Sequence, residues 1–207
     1  MADTARWTRQ PDKRPGQIME AALEVFAAKG FRVATMDEVA KAAGVTKGTI
    51  YLYFPSKKAV LLESVRREVD VLLDLMPAVR MDGEDGIDGM ARGVARSLVK
   101  LLMAPRMARL ITVVMAEVNH LPELRAVYHA EMIPRANLAL AEVLRSAMGL
   151  GIARELDPVI AARALLGMFL TFALTQEVFG AKEITPMDED AIADTVVSIY
   201  LHGVLAR

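Results

Sequence analysis

The chain has 207 residues, of which 54% are hydrophobic and only 5% aromatic. Alanine, leucine and methionine are abundant, and this mixture favours helices over sheets. Because there is no cysteine, disulfides and thiolate metal sites are excluded. The N-terminus is polar and charged rather than a secretory signal, and no uninterrupted apolar run reaches membrane-spanning length. We therefore expect a soluble, cytoplasmic protein with no membrane partner.

The net charge of −1 is unevenly distributed along the chain. Residues 1–60 hold ten Lys/Arg against six Asp/Glu, a net charge of +4, whereas the remainder holds fifteen against twenty, a net charge of −5. A basic N-terminal part followed by an acidic remainder is expected of a protein that binds DNA through one part only.

The first predicted elements are a flexible basic arm, residues 1–14, and a helix from about Pro15 to Lys29. The arm offers four cations for phosphate or minor-groove contacts, Arg6, Arg9, Lys13 and Arg14. The alternative is a tail that contacts nothing. Gly30 is predicted to end the helix, with Phe31 packing back on Phe26.

A short second helix is predicted at about residues 36–43. Thr35 and Glu38 have the spacing of a capping box, in which a threonine at the N-cap and a glutamate three residues later bond each other's backbone N–H groups. Gly44 is predicted to end the helix in the left-handed conformation that glycine tolerates best.

A third helix is predicted at about residues 47–54, with Thr46 as its N-cap. Ile50 and Phe54, four residues apart, give it one apolar edge to bury. Its other face carries donors and flat rings: Lys47, Thr49, Tyr51 and Tyr53. A helix, a glycine turn and a second helix at this spacing are typical of the DNA-binding helix-turn-helix.

The stretch from Thr35 to Leu62, and especially GVTKGTIYLYFPSKKAVLL at residues 44–62, resembles the signature of the tetracycline-repressor (TetR) family of bacterial transcriptional regulators. The resemblance and the helices predicted along the chain together indicate an all-α fold of about nine helices. The resemblance places a three-helix, helix-turn-helix DNA-binding domain in residues 1–60 and a helical-bundle ligand-binding and dimerisation domain in residues 61–207.

The resemblance also implies seven DNA-contacting residues: Thr35, Lys47, Gly48, Thr49, Tyr51, Tyr53 and Lys57. It places Lys47 and Gly48 near base edges and lets Thr49 serve either role, with the other four near phosphates. Chemistry agrees, because a lysine can donate to guanine O6 and N7, whereas a tyrosine hydroxyl or a capped helix end suits a phosphate oxygen.

Six more helices are predicted in the remainder of the chain. A fourth helix follows Ser56 and reaches about Met76, and an acidic, glycine-rich loop occupies residues 81–89. The others are expected at about residues 89–103, 105–118, 122–148, 158–179 and 188–205. Pro134 is expected to kink the third of these five helices, because proline removes a helix hydrogen bond.

The middle helices are rich in methionine, which adapts to irregular volumes. Ten of the thirteen methionines lie after residue 60. Since the resemblance implies a cavity in this region, candidate ligand-binding residues are Met103, Met107, Leu110, Met115, Tyr128 and Met132. For any one of them the alternative is a place in the core.

The last two helices are apolar nearly all round and are predicted to form a homodimer interface. The candidate interface residues are Ala164, Gly167, Met168, Ile199 and Tyr200. The alternative is that these helices are buried within one protomer.

No metal site or cofactor is expected. Glu117 with His120, and Glu131 with His129, make a carboxylate–imidazole site conceivable, but surface or capping roles are commoner for such pairs. An enzyme is disfavoured, because there is no G-x-S-x-G motif, no thiol and no phosphate-binding glycine loop.

The function that the sequence predicts is a ligand-responsive DNA-binding transcriptional regulator. We expect a repressor that binds a pseudo-palindromic operator as a homodimer and is released by a small apolar or amphipathic effector. The alternatives are an activator and a DNA-binding protein without small-molecule control.

Overall fold

A computed structural model describes residues 13–74 and 86–204. Within these ranges the chain forms nine helices and no β-strand, which confirms the predicted all-α fold. The basic arm lies mostly outside the described residues, and so does the first part of the predicted acidic loop, residues 81–85. The chain divides into two compact units, Met1–Ser64 and Val65–Arg207.

The bounds of the first six helices are α1 Arg14–Lys29, α2 Met36–Ala42, α3 Lys47–Tyr53, α4 Lys57–Asp74, α5 Gly86–Leu102 and α6 Pro105–Glu117. Helix α7 runs from Pro122–Val127 through a π-helical segment, Tyr128–Met132, to Ile133–Gly149. Helix α8 comprises Pro158–Ala173 and a π-helical continuation, Leu174–Val178. A short 3₁₀ turn, Ala181–Glu183, precedes α9, Glu189–Val204.

The first unit is held together by one apolar edge from each of its short helices. The side chains of Ile18, Phe26, Val39 and Ile50 are almost completely buried. Gly30 ends α1 with φ of 84°, and the Phe31 ring lies edge-on to Phe26 with 5.0 Å between centroids, as the sequence predicts.

Helix α4 begins in the first unit and ends in the second. The Ser56 hydroxyl accepts a hydrogen bond from the Ala59 N–H at 3.2 Å, so Ser56 caps this helix. The predicted end near Met76 lies outside the described residues.

Helix α5 starts at Gly86, three residues before the predicted start at Gly89. Asp88 lies in the first turn and receives two hydrogen bonds from Arg92, four residues later, at 2.7 and 3.1 Å. This pairing and the charge of Asp88 at the helix N-terminus favour helix in a stretch whose glycines predict a loop.

The sequence predicts a kink at Pro134, and the structure has a π-helical segment shortly before this proline. Tyr128–Met132 is π-helical, and the α-helix resumes at Ile133. Proline has no N–H to donate to the preceding turn, and a local change of hydrogen-bond register accommodates that loss.

Two apolar clusters join described helices of the second unit. The larger joins α5, α8 and α9 and includes Leu98, Phe169 and Val196. The smaller joins α7 and α8 through Ala141 and Ala162. These clusters hold the framework around the cavities described below.

Helix α8 is the most apolar element. It runs for 21 residues from Pro158 to Val178, and an 18-residue window within it has a mean hydropathy of 1.7, of which only 22% is buried. By length and composition alone it is long enough to cross a membrane. A helix of a protein without membrane segments passes the same test, so this is weak evidence for a membrane span.

Candidate DNA-binding surface and effector cavity

The turn between α2 and α3 fixes the angle of the two helices. Gly44 has φ of 63°, its N–H donates to Lys41 O at 3.2 Å, and the Val45 N–H donates to Ala40 O at 2.9 Å. This pair of bonds is the Schellman arrangement, which requires a left-handed residue at the glycine. The predicted turn is therefore confirmed at the level of individual hydrogen bonds.

Both helices of the motif are capped by threonine. The Thr35 hydroxyl accepts from the Glu38 N–H at 3.3 Å, and Glu38 accepts from the Thr35 N–H at 2.9 Å, so the predicted capping box is present. The Thr46 hydroxyl accepts from the Thr49 N–H at 3.1 Å and lies 2.8 Å from the Thr49 hydroxyl. These bonds fix where Thr35 and Thr49 lie.

The exposed face of α3 presents Lys47, Tyr51 and Tyr53, together with Leu52, whose side chain is 84% exposed. Sequence reasoning did not single out Leu52. Its position between the two tyrosines was the available signal, because a large apolar residue there has no core to enter. An apolar side chain on such a face can contact a thymine methyl group.

Lys47 has an internal partner that the sequence did not reveal. Its ammonium donates to Asp37 Oδ2 on α2 at 2.9 Å, and this hydrogen bond raises the pKa of Lys47. Both side chains are largely exposed. Water and salt screen an exposed pair of this kind, so a base edge can replace the carboxylate at little cost.

Gly48 has no internal reason to be glycine. A Cβ atom built on it would meet only the Thr46 hydroxyl, at 3.9 Å, an ordinary van der Waals distance. Its φ is not in the left-handed region. Glycine inside a helix costs about 1 kcal/mol relative to alanine, so its use here favours a close approach from outside the chain.

Lys57 lies at the start of α4, and its ammonium is fully used within the first unit. It donates to the carbonyl oxygens of Phe31, Arg32 and Ala34 at 2.7, 2.8 and 2.8 Å. The same nitrogen lies 5.1 Å from the centroid of the Phe31 ring. Since an ammonium has three donors, these bonds leave none for the phosphate contact expected from the sequence.

A cavity of about 370 Å³, the larger cavity below, lies within the second unit among α4, α5, α6, α7 and α8. Its volume is in the range of sites for small molecules. Most of its wall is apolar, and its polar side chains are Glu68, Tyr128, Asn137 and Arg163. Glu68 is only 5% exposed, and its carboxylate lies 2.6 Å from the guanidinium of Arg106.

Two of the six predicted ligand-binding residues, Met107 and Tyr128, line this cavity. Met103 is buried in the larger apolar cluster, and Leu110 is buried but is not part of the cavity wall. Met115 is 49% exposed. The side chain of Met132 lies outside the described residues.

Three ion pairs join the C-terminal half of α4 to neighbouring helices. Arg66 pairs with Glu131 of α7 at 3.0 Å, and Asp70 pairs with Arg135 of the same helix at 2.8 Å. The third is the Glu68–Arg106 pair to α6. The sequence shows these charges but not their partners, because each pair bridges residues far apart in the chain.

The predicted interface residues lie on α8 and α9. Ala164 and Gly167 of α8 and Ile199 of α9 are exposed. Met168 packs against the larger apolar cluster, and the Tyr200 hydroxyl donates to Ala161 O at 3.0 Å. Burial raises the pKa of Tyr200 to about 12.

His120 and His129 are both exposed. Across residues 13–74 and 86–204, no group of three or more His, Asp or Glu side chains is placed to hold a metal ion. The ring of His129 lies edge-on to the Tyr128 ring, with 5.6 Å between centroids.

Comparison with protein families agrees with both units. The model described as bacterial regulatory proteins, tetR family, matches residues 18–64. The model described as AefR-like transcriptional repressor, C-terminal domain, matches residues 91–203. Together these matches cover the helix-turn-helix and most of the second unit.

Curated relatives match over about a third of this chain. The HTH-type transcriptional activator FasR of Mycolicibacterium smegmatis is 45% identical over 69 residues, which are 33% of this chain and 32% of that protein. The fatty acid metabolism regulator protein of Bacillus subtilis is 39% identical over 66 residues, 31% of this chain and 34% of that protein. The match thus spans about a third of the length of these relatives.

Solved structures match over nearly the whole chain. The fatty acid degradation regulator FadR from Bacillus halodurans aligns with a TM-score of 0.72 at 24% identity, covering 94% of this chain and 97% of that one. SmeT, solved in complex with triclosan, aligns with a TM-score of 0.72 at 24% identity, covering 93% and 92%. At this identity the likeness shows a shared fold.

Proposed function

The chain belongs to the TetR family of bacterial transcriptional regulators, and we propose that it is a repressor released from its operator by a small amphipathic effector. The observation that carries this proposal is the path of α4. The helix starts at Lys57 in the DNA-binding unit, and its later turns supply Glu68, Val69 and Leu72 to the wall of the larger cavity. A molecule in that cavity therefore touches the helix that leads to the DNA-binding unit.

In the proposed DNA complex, α3 lies in the major groove with Lys47 and Gly48 at base edges. Thr35, Tyr51 and Tyr53 contact phosphates, and Thr49 contacts either group. Leu52 adds an apolar contact. We assign Lys57 a different role: it fixes the turn between α1 and α2, and thereby positions Thr35, without itself touching DNA.

Effector binding is proposed to act through the ion pairs of α4. The cavity wall includes Glu68 of α4 and Tyr128, which begins the π-helical segment of α7. Glu131 in the same segment pairs with Arg66 of α4. An effector that displaces Tyr128 would shift this pair, and α4 with it. By linkage, effector and operator then weaken each other's binding by the same factor.

A homodimer is supported by the exposed apolar surface of α8 and α9. Ile160 and Ile199 are 68% and 60% exposed, and only 22% of the apolar window of α8 is fully buried. Large exposed apolar surfaces of this kind mark protein–protein interaction sites. Two-fold symmetry would present two α3 helices to a pseudo-palindromic operator. The proposed place of action is the cytoplasm.

We favour a repressor over an activator. The family model that matches the second unit describes transcriptional repressors, over residues 91–203. The relative named as an activator matches over only 69 residues. Because the second unit is where an effector would act, the longer match carries more weight.

The proposal is tested by selecting an operator from random DNA with the full chain and then screening small molecules by thermal shift. Molecules that raise the melting temperature are expected to lower operator affinity. A promoter carrying the operator should be silent with the protein present and active when the effector is added. If binding molecules leave operator affinity unchanged, the second candidate, a DNA-binding protein without small-molecule control, is favoured.

A further inference from the structure

A second cavity, of about 140 Å³, lies beside the larger one and is lined by residues of α5, α7, α8 and α9. Its lining is apolar except for one phenol, Tyr200, and includes Ala95, Ala147, Leu165, Phe169 and Val197. The Tyr200 hydroxyl already donates to the Ala161 carbonyl at 3.0 Å. We call it the smaller cavity.

An apolar space of this size does not suit water. A buried water needs two to four polar partners, and an engineered apolar cavity of ~150 Å³ stays dry and binds benzene. A void of this kind also carries a stability cost, since core destabilisation grows with cavity volume. The smaller cavity is therefore matched to a hydrocarbon group, and to no polar one.

The two cavities adjoin. Leu98 of α5 and Leu166 of α8 line both of them, so these two side chains form the wall between the spaces. Leu98 is 4% exposed and Leu166 is partly buried. A rotamer change in one or two leucines would join a volume of about 140 Å³ to one of about 370 Å³.

Apart from the Tyr200 phenol, which is already hydrogen-bonded, the polar side chains of the combined space are at the larger end. Arg163, on the exposed side of α8, supplies a guanidinium at the rim of the larger cavity, and Asn137 supplies a buried amide in its wall. The carboxylate of Glu68 is paired with Arg106, 2.6 Å away. A planar guanidinium suits a carboxylate, which it can bind through two parallel hydrogen bonds.

We propose that the two cavities bind one molecule, an amphipathic carboxylate whose head lies at Arg163 and whose hydrocarbon tail passes Leu98 and Leu166 into the smaller cavity. This proposal rests on the proposed effector function and gives the effector its chemical class. It predicts that tail length sets affinity through the smaller cavity, while head charge sets affinity at the rim.

The test is a series of unbranched saturated carboxylates, from butanoate to dodecanoate, titrated calorimetrically into the full chain. Affinity is expected to rise roughly fourfold per added methylene, the value for burying one CH₂, until both cavities are filled. The alkyltrimethylammonium compound of the best chain length is the head-group control, and it should bind at least tenfold more weakly.

Two kinds of variant separate tail from head. Ala147→Leu fills the smaller cavity only, and should leave short carboxylates within about twofold of wild type while weakening the longest by tenfold or more. Val197→Leu, on the facing helix α9, gives a second filling variant if the first folds poorly. Arg163→Gln should weaken carboxylates of every length by a similar factor.

Circular dichroism and operator binding without carboxylate confirm that each variant is folded. If neither filling variant changes the chain-length series, or if no carboxylate binds, the two-cavity site is overturned. A different molecule that binds and releases operator would still support the proposed function. If carboxylates bind as expected but operator affinity does not change, the site stands and the proposed effector function fails.

Discussion

The ammonium of Lys57 donates hydrogen bonds to three backbone carbonyl groups, and these bonds stabilise the fold of the first unit. The carbonyls of Phe31 and Ala34 are partly buried, so losing their donor leaves acceptors without a partner. The turn that they belong to ends at Thr35, the cap of α2. A change at Lys57 would therefore alter DNA binding indirectly.

We expect Lys57→Met to destabilise the first unit by about 1–3 kcal/mol, the range for leaving a buried acceptor without a partner. Operator affinity should fall, but the dependence of log K on log salt should keep its slope, because no phosphate contact is lost. A phosphate role instead predicts a slope smaller by about 0.9 per contact. Operator titrations at several salt concentrations, with Lys58→Met as the matched control, distinguish the two.

Gly48→Ala is expected to move stability and DNA affinity in opposite directions. The added methyl group meets only Thr46 Oγ1 at 3.9 Å, so the free protein should gain up to about 1 kcal/mol of stability. In the complex the same methyl group should collide with DNA, weakening operator binding. Chemical denaturation and operator titration are the two measurements. An alanine variant that binds as tightly as wild type would remove Gly48 from the interface.

Glu38 makes the stability of the first unit depend on pH in the acidic range. The hydrogen bond from Lys29, followed by those from the Thr35 backbone and hydroxyl, lowers the pKa of Glu38 to about 2 from an ordinary 4.5. Because the folded pKa is depressed, this contribution to stability is complete above about pH 4.5 and is lost as pH falls towards 2. Melting temperatures of wild type should therefore decline more steeply over that window than those of Glu38→Gln, which keeps the capping-box shape. Parallel pH profiles would contradict this assignment.

At the scale of elements, the parts that the sequence predicted best are those that local chemistry determines. The capping box at Thr35 and the glycine turn at Gly44 involve residues within five positions of each other. The predicted N-cap at Thr46, which accepts from the Thr49 N–H at 3.1 Å, is equally local. Such features can be read from spacing because the bond lies inside the motif.

Features that depend on tertiary packing were not predictable in this way. The partners of Lys57 lie more than twenty positions away, and Asp37 meets Lys47 only because the turn brings α2 and α3 together. Likewise, methionine content indicates an adaptable region but not which side chains border empty space. Met107 lines the larger cavity, whereas Met103, one turn earlier, is in the core.

At the scale of the whole molecule, the dimer prediction can be tested without disturbing either cavity. Ile199 is exposed on α9 and lines neither space. Placing a charge in an apolar interface is costly, so Ile199→Arg should convert a dimer at micromolar concentration into a monomer in sedimentation experiments. Leu138→Arg, at a similarly exposed apolar residue of α7, is the control and should remain dimeric. If the wild-type protein is monomeric, both the proposed homodimer and the proposed pseudo-palindromic operator are contradicted.

An effector bound in the second unit is proposed to weaken DNA binding by the first unit. The most direct test titrates operator with and without a saturating amount of the tightest ligand found by thermal shift, and titrates that ligand with and without operator. We expect the operator affinity and the ligand affinity to fall by the same factor, of about 5- to 150-fold, as linkage requires. A ligand that saturates the protein while operator affinity stays constant would contradict this proposal.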